Sequence, residues 1–202
     1  MSRNHKSVST KYPGSKLVSI TTHKGKLEGI RSISVSSLNP FCDAQVARPE
    51  SICGHCYARR LEGIRPLLRK VLEQNAEALS SGPIGTIWIN DRIMRFNAFG
   101  ELINTTHWEN LRRIALDYPE TTFTLWTKRP ALVSGYIPPN LILVQSMATP
   151  DVIADIDERF DWVFAVTRDR SKVNCQSLCM ECLRCYRPRD PDESPIIWES
   201  IK

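Results

Sequence analysis

The fold is decided by residues Asp161-Trp162-Val163-Phe164-Ala165-Val166-Thr167, a nearly continuous apolar run. Such a run predicts a strand that is buried on both faces, which is typical of parallel sheets. Residues 121–126 (TTFTLW) and 140–146 (NLILVQS) also predict strands. Weaker strand signals occur in four other segments: 32–38 (SISVSSL), 86–91 (TIWIND), 93–99 (IMRFNAF) and 196–198 (IIW).

Helical patterns alternate with these strands. Pro66 occupies a first-turn position, apolar residues recur at helical spacing as far as Leu79, and Gly82-Pro83 ends the helix. Thr105 or Thr106 is expected to cap a second helix, and a short third helix is expected from Pro150 to about Glu158. The second helix has an apolar face formed by Trp108, Leu111, Ile114 and Ala115.

Strands that alternate with helices predict an α/β fold with a parallel sheet and right-handed crossovers. Five or six βα units are too few for a complete eight-fold barrel of about 250 residues. We therefore expect a partial, open TIM-like barrel that carries a cysteine-rich C-terminal loop. In such sheets cofactors bind at the carboxyl ends of the strands, so the two cysteine-containing loops are expected to share one rim.

Charge divides the chain into two regions. Residues 1–31 contain seven Lys and Arg residues against a single acid, Glu28, while the whole chain has a net charge of +5. We expect a basic arm over 1–31 and a single domain over 32–202. The arm is either a solvated terminus or a contact for phosphates, for example those of a nucleic acid.

No apolar run is long enough to span a membrane, and the N-terminus has no secretory signal pattern. These features predict no membrane partner and a cytoplasmic protein. In that compartment clustered cysteines favour metal binding or catalysis over disulfides. The odd total of seven cysteines also argues against a full set of disulfides.

The second cysteine group is Cys175, Cys179, Cys182 and Cys185, within the run CQSLCMECLRC. Structural zinc sites usually use two separate C-x2-C pairs, and here the two possible pairs share Cys182. A larger iron–sulfur cluster can be wrapped by one dense loop, as in bacterial ferredoxins. The spacing favours an iron–sulfur cluster, with zinc as the alternative.

The first group is Cys42, Cys53 and Cys56, spaced C-x10-C-x2-C. Three thiolates on a four-iron cluster leave one iron without a protein ligand, open to a substrate or cosubstrate. His55 is either a fourth ligand or an exposed loop residue. Zinc bound by three cysteines and one histidine is the main rival, and buried free thiols are the remaining alternative.

Four segments occur together in a recognisable order: Cys53-Gly-His-Cys56-Tyr57-Ala58, Arg95-Phe-Asn-Ala-Phe-Gly-Glu101, Leu125-Trp-Thr-Lys-Arg-Pro130 and the terminal cysteine run. Over roughly residues 30–187 this pattern resembles uncharacterised bacteriophage proteins. Those proteins in turn resemble radical S-adenosylmethionine (radical SAM) enzymes, including the spore photoproduct lyase-like group. A phage protein would act in the host cytoplasm.

The resemblance implies a 4Fe–4S cluster at Cys42, Cys53 and Cys56 that reductively cleaves S-adenosylmethionine (SAM) to a 5′-deoxyadenosyl radical. It makes Phe99-Gly100-Glu101 the counterpart of the family's Gly-Gly-Glu stretch, with Glu101 facing the cosubstrate ammonium and Gly100 allowing close backbone approach. The candidate cofactor-binding residues are Asn97, Gly100, Glu101 and Lys128. Lys128 and Arg129, at the end of a predicted strand, are placed either to bind a carboxylate or phosphate or to cap a surface helix.

Three departures from the family pattern affect the hypothesis. The usual spacing is C-x3-C-x2-C, the double glycine is absent here, and the barrel is short. The first hypothesis is therefore a radical SAM-like iron–sulfur enzyme with an auxiliary four-cysteine cluster and an electron donor as partner. The second is an electron-transfer or redox-sensing iron–sulfur protein without SAM, and the third is a zinc-stabilised nucleic-acid-binding module. The sequence identifies neither catalytic residues nor the substrate.

Overall fold

The computed structural model describes residues 17–201 and consists of an open six-stranded parallel sheet flanked by helices and long loops. The predicted α/β class with a parallel sheet is confirmed. Residues 1–16 of the predicted basic arm lie outside the described residues. Residues 17–30 run along the domain, where Val18 and Ile20 pack against the main apolar core. None of the helices in the described part is long and apolar enough to cross a bilayer.

The strands are β1 (Arg31–Ile33), β2 (Ile93–Phe96), β3 (Thr122–Thr127), β4 (Leu141–Ser146), β5 (Trp162–Thr167) and β6 (Ile196–Ser200). The α-helices are α1 (Pro40–Val46), α2 (Tyr57–Ile64), α3 (Pro66–Ser81), α4 (Thr105–Asp117) and α5 (Cys179–Cys182). Short 3-10 helices cover Gly25–Leu27, Ile52–His55, Pro130–Leu132, Arg170–Lys172 and Arg184–Tyr186.

The strands lie in the sheet in the order in which they occur along the chain. When every crossover moves the same way with the same hand, the crossover helices gather on one face of the sheet. We call this the helix face. Its core is a single apolar cluster in which Leu79 of α3 and Trp108 and Leu111 of α4 pack with strand residues such as Phe96 and Phe123.

The opposite face is covered by loops, and we call it the loop face. Arg95 of β2 is in register with Thr124 of β3, and Thr124 is in register with Ile142 of β4. Since register partners in a parallel sheet project to the same side, these three side chains share the loop face. Cys175 and Cys185 pack on an apolar cluster that contains Ile142, so the second cysteine group lies on this face.

The structure differs from the sequence-based expectations in three elements. Residues 86–91 form no strand: Ile87 and Ile89 are buried, but Trp88 is 74% exposed, because β1 and β3 already occupy both edges of β2. The N-cap of α4 is Asn104, whose side chain accepts a hydrogen bond from the His107 amide, rather than either threonine.

The third difference is the helix expected over 150–158, which is a loop. Asp151 and Asp155 have positive φ angles of 59° and 48°, which a right-handed helix does not allow. The Gln145 side chain fixes the loop instead. It donates to the Asp155 carbonyl and accepts from the Asp157 amide, each at 2.8 Å.

Candidate functional site

The first cysteine group is positioned by helix starts. Asn39 caps α1 by accepting a hydrogen bond from the Cys42 amide, and its Nδ2 donates to the Cys42 Sγ at 3.4 Å. The Ser51 side chain accepts from the Cys53 amide at the start of the next 3-10 helix, and Cys56 is the N-cap residue of α2. Capping thus fixes the backbone at Cys42 and Cys53, and the Cys56 amide donates to the Cys53 carbonyl at 3.2 Å.

The environment of Cys42 disfavours a free thiolate. The pKa of Cys42 is raised to about 12, chiefly by burial, and the nearby negative groups of Glu101, Cys56 and Cys53 contribute in the same direction. A buried thiol such as that of Cys42 becomes a thiolate only with a cation beside it. The donor set is therefore suited to a metal centre and poorly suited to a single reactive thiolate.

The second cysteine group is held in a compact loop on the loop face. Leu183 has a positive φ of 49°, which reverses the chain between Cys182 and Cys185. The Cys175 amide donates to the Trp198 carbonyl on β6 at 3.1 Å. The pKa of Cys185 is raised to about 12, first by burial and then by Cys175, with smaller contributions from Cys179 and Cys182 that place the four thiols in one neighbourhood.

The two cysteine groups lie close to each other. Ile52, next to Cys53, packs against the same apolar cluster as Cys175 and Cys185. Tyr57 lies near both groups. The pKa of its hydroxyl is raised first by burial and then by charges on Cys56, from the first group, and Cys179, from the second. The Ile52 amide donates to the Ala148 carbonyl after β4, so the first cysteine loop reaches across the carboxyl ends of the strands.

Within residues 17–201, no three His, Cys, Asp or Glu side chains are spaced to hold a single metal ion. Thiolates around one zinc ion lie no more than about 4.6 Å apart, since each Zn–S bond is about 2.3 Å. Metal binding would bring the sulfur atoms of either cysteine group to the required distances, because metal binding and local folding are coupled. His55, the candidate fourth ligand, is exposed.

Glu101 binds the protein's own backbone. Its buried carboxylate accepts hydrogen bonds from the Leu102 amide at 2.8 Å, the Lys128 amide at 2.7 Å and the Thr127 hydroxyl. Burial raises the pKa of this carboxyl, while Lys128 and the hydrogen bonds act in the opposite direction. Glu101 therefore joins the turn after β2 to the end of β3, and its oxygens are engaged.

Gly100 allows a close approach between two loops. It has a φ of +71°, and a Cβ atom at this position would lie 2.4 Å from the Val35 carbonyl oxygen. The segment that leads from β1 to Cys42 therefore packs directly on the turn after β2. The predicted close backbone approach at Gly100 exists, and its partner is the protein's own chain.

The other two predicted cofactor-binding residues have polar groups to offer. Asn97 has a φ of 56° and is only 4% exposed, yet neither its Nδ2 nor its Oδ1 has a hydrogen-bond partner among the described residues. The Lys128 Nζ donates to the Ser146 Oγ at 3.1 Å, at the carboxyl ends of β3 and β4. Arg129 is committed elsewhere, since it donates to the Leu102 and Ile103 carbonyls.

Sequence reasoning missed a polar group on the loop face. The Arg95 guanidinium lies over the Trp126 ring, 4.1 Å from its centroid, and Tyr186 is buried nearby. One signal was available, because a charged residue at 95 and an amide at 97 share one side of a strand that is otherwise apolar. The partnership with Trp126 and Tyr186 depends on strand register and on a distant loop.

The described part of the predicted basic arm has its own partners. Lys26 donates to the Glu199 carboxylate and to the Cys175 carbonyl, both at 2.9 Å, and Arg31 is paired with Asp91. Lys26 thus fastens the segment before β1 to the second cysteine loop. These two cations are therefore engaged within the domain.

Comparison of the chain with protein-family models, curated proteins and solved structures found no match at a significant level. The assignment of function therefore depends on the residues and geometry described above.

Proposed function

We propose that this protein is an iron–sulfur protein of radical SAM-like type built on a partial barrel. Cys42, Cys53 and Cys56 would hold a 4Fe–4S cluster with one iron free of protein ligands. Cys175, Cys179, Cys182 and Cys185 would hold an auxiliary cluster, and the protein would act in the cytoplasm of a bacteriophage host.

The observation that carries this proposal is the position of the two cysteine groups. One group has three thiols and the other has four, and both lie beside the loop face of a parallel sheet with sequential strand order. Soft thiolates in groups of three and four are typical ligands of iron–sulfur clusters. Sequential strand order, with the long helices α3 and α4 packed in one core on one face, is the arrangement expected of a barrel segment.

The residues present fit such a cofactor. The Asn39 amide already donates to the Cys42 sulfur, which is the kind of second contact that orients a metal-bound thiolate. The apolar cluster under Cys175 and Cys185 excludes water from one side of the second group. When bound, a three-cysteine cluster would supply one electron to the SAM sulfonium, which is how the family starts its radical chemistry.

The chain's own residues would position the cosubstrate. Lys128 offers an ammonium at the carboxyl ends of β3 and β4, where a carboxylate of SAM could be bound. Gly100 and Glu101 would act indirectly, because they fix the turn beside Cys42.

The test compares two cysteine variants after anaerobic reconstitution with iron and sulfide. We expect SAM to change the electron paramagnetic resonance signal of the reduced wild-type protein and to yield 5′-deoxyadenosine. Cys42→Ser should abolish both effects, whereas Cys182→Ser should retain the SAM-dependent signal change. If wild-type protein shows neither effect although its iron is bound, the SAM part of the proposal is wrong and the electron-transfer alternative is favoured.

A further inference from the structure

We infer that the loop face contains a binding site for a small molecule with an oxyanion group, a carboxylate or a phosphate. Arg95, Thr124, Trp126 and Tyr186 form the site, and Asn97 follows Arg95 by two residues, just after β2 ends. The site is built from side chains of β2, β3 and the 3-10 helix Arg184–Tyr186 and includes none of the cysteines.

Arg95 provides the main argument, because its charge has no partner. Its Nε is buried without a hydrogen-bond acceptor, and no carboxylate of residues 17–201 lies within ion-pair distance of its guanidinium. Its one defined contact is the Trp126 ring beneath it. The buried Nε needs an acceptor to offset its desolvation, and the planar fork of a guanidinium matches an oxyanion.

Three further polar atoms around Arg95 also lack partners: the Thr124 hydroxyl, the Trp126 indole N–H and the Tyr186 hydroxyl. Thr124 is in register with Arg95 on the neighbouring strand, and Tyr186 belongs to the 3-10 helix that lies against β3 and β4. Thr124 is 0% exposed and Tyr186 is 8% exposed, so bulk water does not satisfy them. Buried polar groups are nearly always hydrogen-bonded, and four without partners at one place indicate a missing ligand.

The side chain of Asn97 indicates that the missing ligand is a small molecule and not an iron–sulfur cluster. Its Oδ1 is an acceptor and its Nδ2 is a donor, and both are buried and unpartnered. The sulfurs of a cysteine-bound cluster accept hydrogen bonds but donate none, so they cannot satisfy Oδ1. The ligand should therefore carry an N–H or O–H group next to its oxyanion.

The test measures binding of inorganic phosphate and of sulfate by calorimetry at pH 7 and constant ionic strength. Monohydrogen phosphate carries an O–H donor and sulfate carries none, so we expect saturable phosphate binding that is at least tenfold tighter than sulfate binding. Arg95→Gln and Trp126→Phe, which keeps the aromatic ring, should each weaken phosphate binding at least tenfold. Arg112→Gln, which alters a partly exposed arginine of α4 paired with Glu109, is the control and should bind normally.

The measurement is made on the full chain, both as purified and after anaerobic loading with iron and sulfide. Binding in both forms that is lost in the Arg95 and Trp126 variants supports the inference, provided that these variants melt like the wild type without phosphate. Absence of phosphate binding would overturn it, as would equal binding by the variants. Loss of binding on iron loading, or displacement of phosphate by SAM, would assign these donors to the cluster or the cosubstrate and would also overturn it.

Discussion

Replacing Gly100 by alanine tests the packing of the turn after β2 against the segment that leads from β1 to Cys42. The new Cβ would lie 2.4 Å from the Val35 carbonyl oxygen and 2.9 Å from the Ser36 carbonyl oxygen, and both are backbone atoms that cannot rotate away. The positive φ of 71° adds a conformational cost of about 1 kcal/mol, and overpacking typically costs about 1–3 kcal/mol. We therefore expect the free energy of unfolding to fall by about 2–4 kcal/mol.

The matched control is Gly63→Ala in α2, where nothing lies within 4 Å of the added Cβ and φ is not positive. Alanine favours a helix over glycine by up to about 1 kcal/mol, so this variant should be unchanged or slightly more stable. Urea unfolding followed by circular dichroism measures both variants, and the melting temperature of Gly100→Ala should fall by roughly 5–15 °C. Equal, small effects in the two variants would refute the described contact between the turn after β2 and the segment after β1.

Two further predictions concern the cysteines and a buried histidine. Cys182 is exposed, so Cys182→Ser should leave the melting temperature of metal-free protein unchanged. In iron-loaded protein the same change should lower both the iron content and the melting temperature, because ligation stabilises the fold. Unchanged iron content and melting temperature would contradict the assignment of Cys182 as a ligand. His107 is fully buried, and burial lowers its pKa to about 3, whereas the unfolded chain titrates near the ordinary value of 6.5. Its contribution to stability is therefore complete above pH 6.5 and is lost progressively as the pH falls towards 3. Between pH 7 and pH 5 the wild type should lose about 2 kcal/mol more than His107→Gln, as measured by urea unfolding at each pH, and identical losses would show that His107 does not titrate as described.

The strands that the sequence predicts well are those whose burial is nearly complete. β3, β4 and β5 coincide with the apolar runs at 121–126, 140–146 and 161–167, and α3 begins at Pro66 as its first-turn proline indicates. In these segments local preference and tertiary environment agree.

The segments that sequence reasoning misassigned depend on distant partners. Residues 86–91 alternate like a strand, but the edges of β2 are taken by β1 and β3. The loop over 150–158 is held by Gln145 from β4, a contact that no local pattern reveals. Pattern analysis describes a segment's own preference, and here pairing across the sheet decided the outcome.

The candidate site, too, could be predicted only in part from the sequence. The cysteines are visible in the sequence because ligand spacing is local. The engagement of Glu101 is not visible, since it requires the ends of β2 and β3 to meet. The arrangement of Arg95, Trp126 and Tyr186 likewise follows from strand register and from the loop that crosses β3 and β4.

The central claim is that the two cysteine groups bind iron–sulfur clusters. Its most direct test is metal and acid-labile sulfide analysis, with an absorbance spectrum near 400 nm, of protein prepared without oxygen. The account predicts a brown protein that contains iron and sulfide in equal amounts and loses part of each in Cys42→Ser and in Cys182→Ser. Colourless protein that holds stoichiometric zinc and takes up no iron would contradict it.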